Sequence, residues 1–308
     1  MHTLIVCGLA GLLGQLVSGT LGMGFGVTST TALVALGTAP ALASAMTHIA
    51  TVGISVASGI AHWRFRNIDW RTVAILAAPG AVGAGVGAYV LTAVSADLST
   101  VWIAAVLFLM GAYVLLRFAF FALRKAVGKQ PLRVRFLAPL GLIAGFVDAT
   151  GGGGWGPIGT TTLLSSGRLE PRKVVGSVAA SELTVTVAAS IGFLWALPLD
   201  ELDSAVMLGL LIGGVVAAPL AAWLVRKLPS RILGTAAGGL IVITNARTLL
   251  TTVGAGPAVA VAVYVVLVAV WAVGMVVAVR AVREQRRLDA ATAEPGGEAT
   301  HAASPADT

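Results

Sequence analysis

The chain is poor in charged residues and has a single cysteine. Of its 308 residues only 11% are charged, whereas 57% are hydrophobic and the mean hydropathy is +0.93. A water-soluble domain carries roughly 25% charged residues, because its surface must face water. A soluble globule is therefore excluded, and lipid is the expected solvent. The single cysteine, Cys7, excludes an internal disulfide framework.

Motifs of several other functional classes are missing as well. The four histidines are far apart and form no His-Glu-x-x-His cluster, so no metal or other cofactor is expected. An ATP-driven pump would need a Gly-x-x-x-x-Gly-Lys-[Ser/Thr] run, which the sequence lacks. The net charge of +7 does not indicate nucleic acid, because the basic residues cluster in short loops between apolar runs.

Long apolar runs dominate what is present. A membrane-spanning helix needs about 20 apolar residues. Seven segments reach that length, namely 42–62, 72–94, 100–122, 173–195, 204–225, 232–252 and 257–280. Two further apolar stretches, 4–37 and 136–167, are interrupted by glycine-rich runs at 22–26 and 151–156. Each is predicted to be a re-entrant hairpin, with a kinked single span as the alternative for the first.

Loop charge predicts how the chain is threaded through the membrane. The loop 124–135 carries five Lys or Arg residues and no acid, which places it in the cytoplasm. Basic residues at 168–173 also place the start of span 173–195 inside, so the preceding segment must return to its side of entry. If the first broken segment is also a hairpin, the N-terminus lies outside and the C-terminus lies in the cytoplasm of a multi-pass cell-membrane protein.

An internal repeat accompanies this topology. Residues 11–33 aligned with 141–163 give ten identities in 23 positions. The predicted fold is therefore an all-α polytopic membrane protein with two inverted repeats, 1–123 and 136–253, each a glycine-broken hairpin followed by three spans. The basic loop joins the repeats, the extra span 257–280 follows them, and a disordered tail covers 281–308. Many secondary carriers have this architecture, with the site at the midplane between the repeats.

The glycine runs are the predicted binding site for a small anion. Where a second half-helix begins, its first N–H groups lack intrahelical acceptors and face the positive end of the helix dipole. Glycine would let a ligand approach that backbone closely. The alternative is that the glycines only allow helices to pack tightly. The candidate binding residues are Thr20, Gly22, Gly24, Gly26, Thr150, Gly152, Gly153, Gly154 and Trp155.

Ionisable residues inside spans indicate function, because charge in the membrane is costly. His48 and Glu182 lie at equivalent depths of spans 42–62 and 173–195, so either could carry a coupling proton or contact the substrate. Hydrogen bonding to neighbouring hydroxyls, as packing glue, is the alternative for both. Asp148 precedes the second glycine run and is predicted to cap the backbone N–H groups that follow it.

These features resemble the sulfite exporter TauE/SafE family of membrane carriers over roughly residues 5–253. The resemblance rests on the glycines around 11–14, on the run from Gly151 to Pro157, and on its weaker echo at 22–26. The first run departs from the second in having Val27 in place of Pro157 and Met23 in place of Gly153.

The resemblance implies export of a small sulfur-containing anion, such as sulfite or an organosulfonate. We therefore expect a secondary transporter that works by alternating access, not an enzyme. The expected partners are a small anion, a coupling proton or cation, and membrane lipid. A homodimer is compatible with the sequence, which does not determine the oligomeric state. A passive anion channel and, less favoured, a membrane-embedded enzyme are the alternatives.

Overall fold

The computed structural model describes residues 2–21, 23–121, 132–166, 168–224 and 229–293, and the predicted all-helical membrane class is confirmed. Within these ranges there is no strand. The helices are α1 His2–Leu21, α2 Phe25–Ala35, α3 Pro40–Arg64, α4 Trp70–Ala93, α5 Ala96–Phe120, α6 Val134–Gly151, α7 Thr161–Ser166, α8 Pro171–Ala196, α9 Ser204–Leu224, α10 Ser230–Thr252 and α11 Pro257–Ala293. A π-helical segment, Trp155–Thr160, leads directly into α7.

Seven helices of the described ranges are long and apolar enough to cross a membrane. Six of them coincide with predicted spans, and the seventh, Val134–Gly151, was predicted as the first limb of the hairpin 136–167. The remaining predicted span, 204–225, is α9, of which Ser204–Ala218 is a shorter apolar stretch. The division into two repeats, and the return of each broken segment to its side of entry, stay predictions.

Both chain breaks fall at the predicted glycine runs. Helix α6 ends where Gly152 and Gly153 have φ values of 68° and 159°, a region that favours glycine because it has no Cβ. In the first run, Gly24 precedes α2 with φ 105°. A methyl group at Gly14 would lie 2.6 Å from the Ser29 hydroxyl, so α2 packs back along α1.

Small residues let the long helices approach one another closely. Helices α1 and α9 pack side by side and run parallel, because Gly209 lies against Leu4 and Gly213 lies against Leu12. Helices α4 and α6 form a second close parallel pair, in which Gly87 lies against the carbonyl of Phe146. In lipid such packing replaces the hydrophobic effect as the force between helices.

The last two helices, α10 and α11, pack against α5. Helices α5 and α10 run antiparallel, since Gly238 lies against Leu115 and Gly234 against Phe118. Helix α11 packs on this pair and places the indole of Trp271 on α10, where its Nε1–H donates to the Thr235 carbonyl at 3.1 Å. The rest of α11 is largely exposed, as expected for a helix that faces lipid.

Helix α11 corrects the predicted start of the tail. The tail was expected from residue 281, but the helix continues to Ala293. Residues 281–293 are mostly Ala, Arg, Glu and Leu, which are good helix formers. Glu284 is also four residues from Arg280 and three from Arg287, spacings that favour a helix. The remaining tail, 294–308, and residues 124–131 of the basic loop lie outside the described residues.

Candidate functional site

The two glycine runs touch each other in the interior of the helix bundle. A methyl group at Gly26 would lie 2.7 Å from the carbonyl oxygen of Gly152 and 2.8 Å from Cα of Gly153. A methyl group at Gly156 would lie 2.8 Å from Cβ of Met23. At the repeat spacing of 130 residues, Gly26 corresponds to Gly156 and Met23 to Gly153. The contacts are therefore reciprocal, and a Cβ at Gly26, Gly153 or Gly156 would collide with the facing run.

Hydroxyl groups of α2 stabilise this contact through hydrogen bonds. The Thr30 hydroxyl donates to the carbonyl oxygen of Gly152 at 2.7 Å and lies 3.2 Å from Oγ1 of Thr47 on α3. Thr31, the next residue, accepts a 3.0 Å hydrogen bond from Nδ2 of the buried Asn245 on α10. The second glycine run, α2, α3 and α10 are thus joined by side-chain hydrogen bonds near one point.

Trp155 fills the space beside the second glycine run. Its side chain is fully buried, and its Nε1–H donates to the Val178 carbonyl of α8 at 3.1 Å. The far edge of the indole lies over Gly80 of α4, where a methyl group would be 2.6 Å away. Trp155 therefore packs the glycine run against α4 and α8.

The Asp148 carboxylate holds the chain after the second break. Its Oδ1 accepts the backbone N–H groups of Gly154 and Trp155 at 2.7 and 2.8 Å. Charge-assisted hydrogen bonds of this kind are about twice as strong as neutral ones. Two of the donors that the sequence suggested for an anion are therefore occupied by an internal carboxylate.

His48 completes the same arrangement. Its Nε2 lies 3.1 Å from the other carboxylate oxygen of Asp148, and its Nδ1 donates to the Ser44 carbonyl at 2.8 Å. A carbonyl only accepts, so Nδ1 carries a proton. The contact between Nε2 and Oδ2 then needs one further proton, held by either partner. The His48–Asp148 pair is therefore electrically neutral as a unit.

Glu182 lies on the opposite side of the same region, on α8. It is half-buried, next to the Ser55 hydroxyl of α3, and it interacts electrostatically with Asp148 and His48. Its contact with Ser55 falls short of hydrogen-bond geometry, because the Ser55 oxygen has no partner among the described residues. The three ionisable side chains that the sequence singled out thus gather around one part of the bundle.

Other predicted site residues lie away from the contact between the glycine runs or outside the described residues. Thr150 donates to the carbonyl of Phe146 in its own helix and lines an apolar cavity of about 200 Å³ between α4, α5 and α6. Thr20 is at the end of α1, and its side chain and Gly22 lie outside the described part of the chain. Within the described ranges, no group of three or more His, Cys, Asp or Glu residues gathers as a metal site would require.

Several residues of the site were missed by sequence reasoning. His48 and Asp148 were singled out separately, but no pattern relates two residues that are 100 positions apart. Asn245 belongs to no recognisable motif. A polar amide inside an apolar span is nevertheless an indication of function that could have identified it. Among the described residues, the buried oxygens of Gln15, Ser29 and Ser190 have no hydrogen-bond partner.

Comparison with known proteins shows the family of the chain. Residues 7–248 match the family model described as sulfite exporter TauE/SafE. The "Probable membrane transporter protein YtnM" of Bacillus subtilis (strain 168) is 46% identical over 273 residues, covering 88% of this chain and 91% of that protein. No solved structure matches the chain. The chain belongs to the sulfite exporter TauE/SafE family and is a multi-pass membrane transporter.

Proposed function

We propose that the protein is a secondary transporter that exports a small sulfur-containing anion by alternating access, with its site where the two glycine runs meet. The observation that carries the proposal is the reciprocal contact of the runs, Gly26 on Gly153 and Gly156 on Met23. A contact in which two equivalent surfaces meet is what a two-fold relation produces. Inverted repeats related in that way enclose the sites of many secondary carriers.

Helix directions support opposite orientation of the halves. Helix α8 runs parallel to α4, because Val185 lies against Gly80 and Gly192 lies against Ala88. Helix α9 follows α8 after a short turn and so returns in the opposite direction, and α1 is parallel to α9. Helix α6 is parallel to α4. Helices α1 and α6, the first members of the two halves, therefore run in opposite directions.

Backbone donors at the first glycine run support an anionic substrate. No side chain caps the start of α2 at Gly24, whereas Asp148 accepts from two N–H groups of the second run. The nearby His48–Asp148 pair contributes no net charge. An anion at the contact would thus meet the N-terminal end of α2 with its favourable dipole. The name of the family supports a sulfur oxyanion as the first substrate to test.

The closed contact supports alternating access. With the two backbones touching, no path crosses the bundle between the runs, so transport requires them to separate toward one side at a time. We expect the N-terminus outside and the C-terminus in the cytoplasm of a plasma-membrane protein, with the ion gradient deciding the direction of net flux.

Reconstitution into proteoliposomes tests the proposal. Uptake and efflux of labelled sulfite, sulfate, thiosulfate, sulfoacetate and a simple carboxylate would be measured for the wild type and for Gly26→Ala. We expect saturable flux of at least one sulfur-containing anion and its loss in the variant, because the added methyl collides with the Gly152 carbonyl.

Gly85→Ala is the matched control. It makes the same substitution in a membrane helix at a position with nothing within 4 Å, so flux should stay at the wild-type level. Flux that Gly26→Ala leaves intact would remove the glycine contact from the transport path. Conductance in a planar bilayer without counterflow of labelled anion would favour the passive channel instead.

A further inference from the structure

We propose that the coupling ion is a proton and that it passes along a polar seam between α3 and α8, with Glu182 as the group that binds and releases it. We define the α3–α8 seam by His48, Thr51 and Ser55 on α3 and by Glu182, Thr186 and Ser190 on α8. The inference rests on the proposed secondary transport, for which it names the coupling ion and the residue that carries it.

The seam is formed by one face of each helix. On α3 the three residues follow each other at spacings of three and four, and on α8 at spacings of four, so each set shares a helical face. The two faces meet at both ends: the His48 ring centroid is 5.8 Å from that of Phe193, and Ser55 lies next to Glu182. Helices α3 and α8 therefore run antiparallel along the seam.

The hydroxyls of the seam indicate that it holds water. Thr51 and Thr186 donate to carbonyls of their own helices at 2.7 and 2.9 Å, as hydroxyls in membrane helices usually do. Ser55 and Ser190 are buried, make no such bond and have no partner at hydrogen-bond geometry among the described residues, although Ser55 lies beside the Glu182 carboxyl group. A buried polar atom without a protein partner is normally satisfied by ordered water, which also conducts protons.

Two proton-holding groups lie at different depths along the seam. His48 and Ser55 are seven residues apart, which is about 10 Å along a helix axis. The His48–Asp148 pair shares one proton, and its remaining polar atoms are bound to the Ser44 carbonyl and to two backbone N–H groups. Moving that proton would break a bonded cluster, so the pair is a fixed element of the site.

Glu182 differs in lying outside that bonded cluster, with the Ser55 hydroxyl as its polar neighbour. Asp148 on α6 and His48 on α3 are the titratable groups of the described residues that act on it. Its carboxylate can form an O–H bond with a proton from water on one side of the membrane. That bond breaks when the proton passes to water on the other side, and no other reactant is needed. One carboxylate with two hydroxyls falls short of the six to eight oxygens that hard divalent cations such as Ca²⁺ take.

Infrared difference spectroscopy of the purified full-length protein tests proton binding directly. Spectra recorded across a pH titration should contain a carboxylic C=O band that disappears at high pH. We expect Glu182→Gln to remove that band and Asp200→Asn, an exposed acid-to-amide control, to retain it. A titrating band that Glu182→Gln leaves unchanged would overturn the inference. This measurement needs no substrate, so it stands apart from failure of the proposed function.

Flux measurements with thiosulfate, which takes up no proton near neutral pH, test coupling. In vesicles loaded with a pH dye, a thiosulfate gradient should drive proton movement in the wild type and in Asp200→Asn but not in Glu182→Gln. Exchange of labelled for unlabelled thiosulfate should survive Glu182→Gln, because exchange needs no net proton transfer. Loss of exchange in a variant with wild-type melting temperature would overturn the inference, since Glu182 would then serve substrate binding.

Discussion

Two substitutions at Asp148 separate the stability that comes from its hydrogen bonds from the stability that comes from its acidic group. Asp148→Ala leaves the N–H groups of Gly154 and Trp155 without an acceptor and His48 without its partner. Removing one member of a buried, hydrogen-bonded pair costs about 3–5 kcal/mol. That is a large part of the ~5–15 kcal/mol by which proteins are usually stable. We expect the melting temperature to fall by roughly 10 °C, at about 2–4 °C per kcal/mol.

Asp148→Asn keeps the hydrogen bonds but removes the acidic group that shares a proton with His48. The amide oxygen can accept the same two N–H groups, and the amide nitrogen can donate to Nε2 of His48, because Nδ1 carries the ring proton. We therefore expect a loss of no more than ~1 kcal/mol, the typical size of one hydrogen bond. The assay is thermal unfolding in detergent, with tryptophan fluorescence as the signal that monitors it.

The two variants together can refute the reasoning. If Asp148→Ala melts with the wild type, the carboxylate does not hold the second glycine run in place. If Asp148→Asn melts as low as Asp148→Ala, the pair is an imidazolium with a carboxylate, whose charges the amide cannot replace. A double variant with His48→Ala then measures the coupling energy of the pair.

Two further predictions test the packing and the topology. Gly83→Ala should lose about 1–3 kcal/mol of stability because its methyl meets the backbone of Leu142, whereas Gly85→Ala two positions along should melt as the wild type. An unaltered melting temperature of Gly83→Ala would mean that α4 and α6 leave room for a methyl group between them. Thr38→Cys should react with an impermeant thiol reagent from outside only, while the native Cys7 is buried and silent; labelling only from the cytoplasm would refute the inverted repeats.

Much of the fold could be predicted because lipid imposes simple rules. Helices in hydrocarbon must be apolar and long enough to cross it, so the bounds of α3, α4, α5, α8 and α10 lie within four residues of the predicted spans. The end of α11 was predicted less well, because outside the membrane the hydropathy that marks a span disappears while helix propensity continues.

The hydrogen bonding at the candidate site was harder to predict than the contact between the two glycine runs. The duplicated glycines predicted this contact, since a Cβ at Gly26, Gly153 or Gly156 would collide with the facing run. Which atoms bond there depends on packing between distant helices. That Asp148 would meet His48, and that Asn245 would reach Thr31, follows from the α3–α6 and α2–α10 contacts and from no local pattern.

The two glycine runs are equivalent in backbone but not in chemistry. Asp148 and Pro157 stiffen the second run, while Ser18 and Val27 occupy the matching positions in the first. Bonds from Asp148 hold the backbone after Gly153, and Trp155 anchors it to α4 and α8. The start of α2 has no side-chain cap at Gly24.

If both glycine runs were held by equivalent bonds, neither run would be easier to move than the other. Asp148 holds the backbone of the second run, whereas Thr30 and Thr31 hold the body of α2 and no side chain caps its start. We therefore expect the start of α2 to move and the second run to act as its fixed support. An asymmetric pair of this kind allows a nearly symmetric scaffold to respond to one substrate and one ion at different places. In this protein we propose the start of α2 as the place for the substrate and the Glu182 end of the α3–α8 seam as the place for the ion.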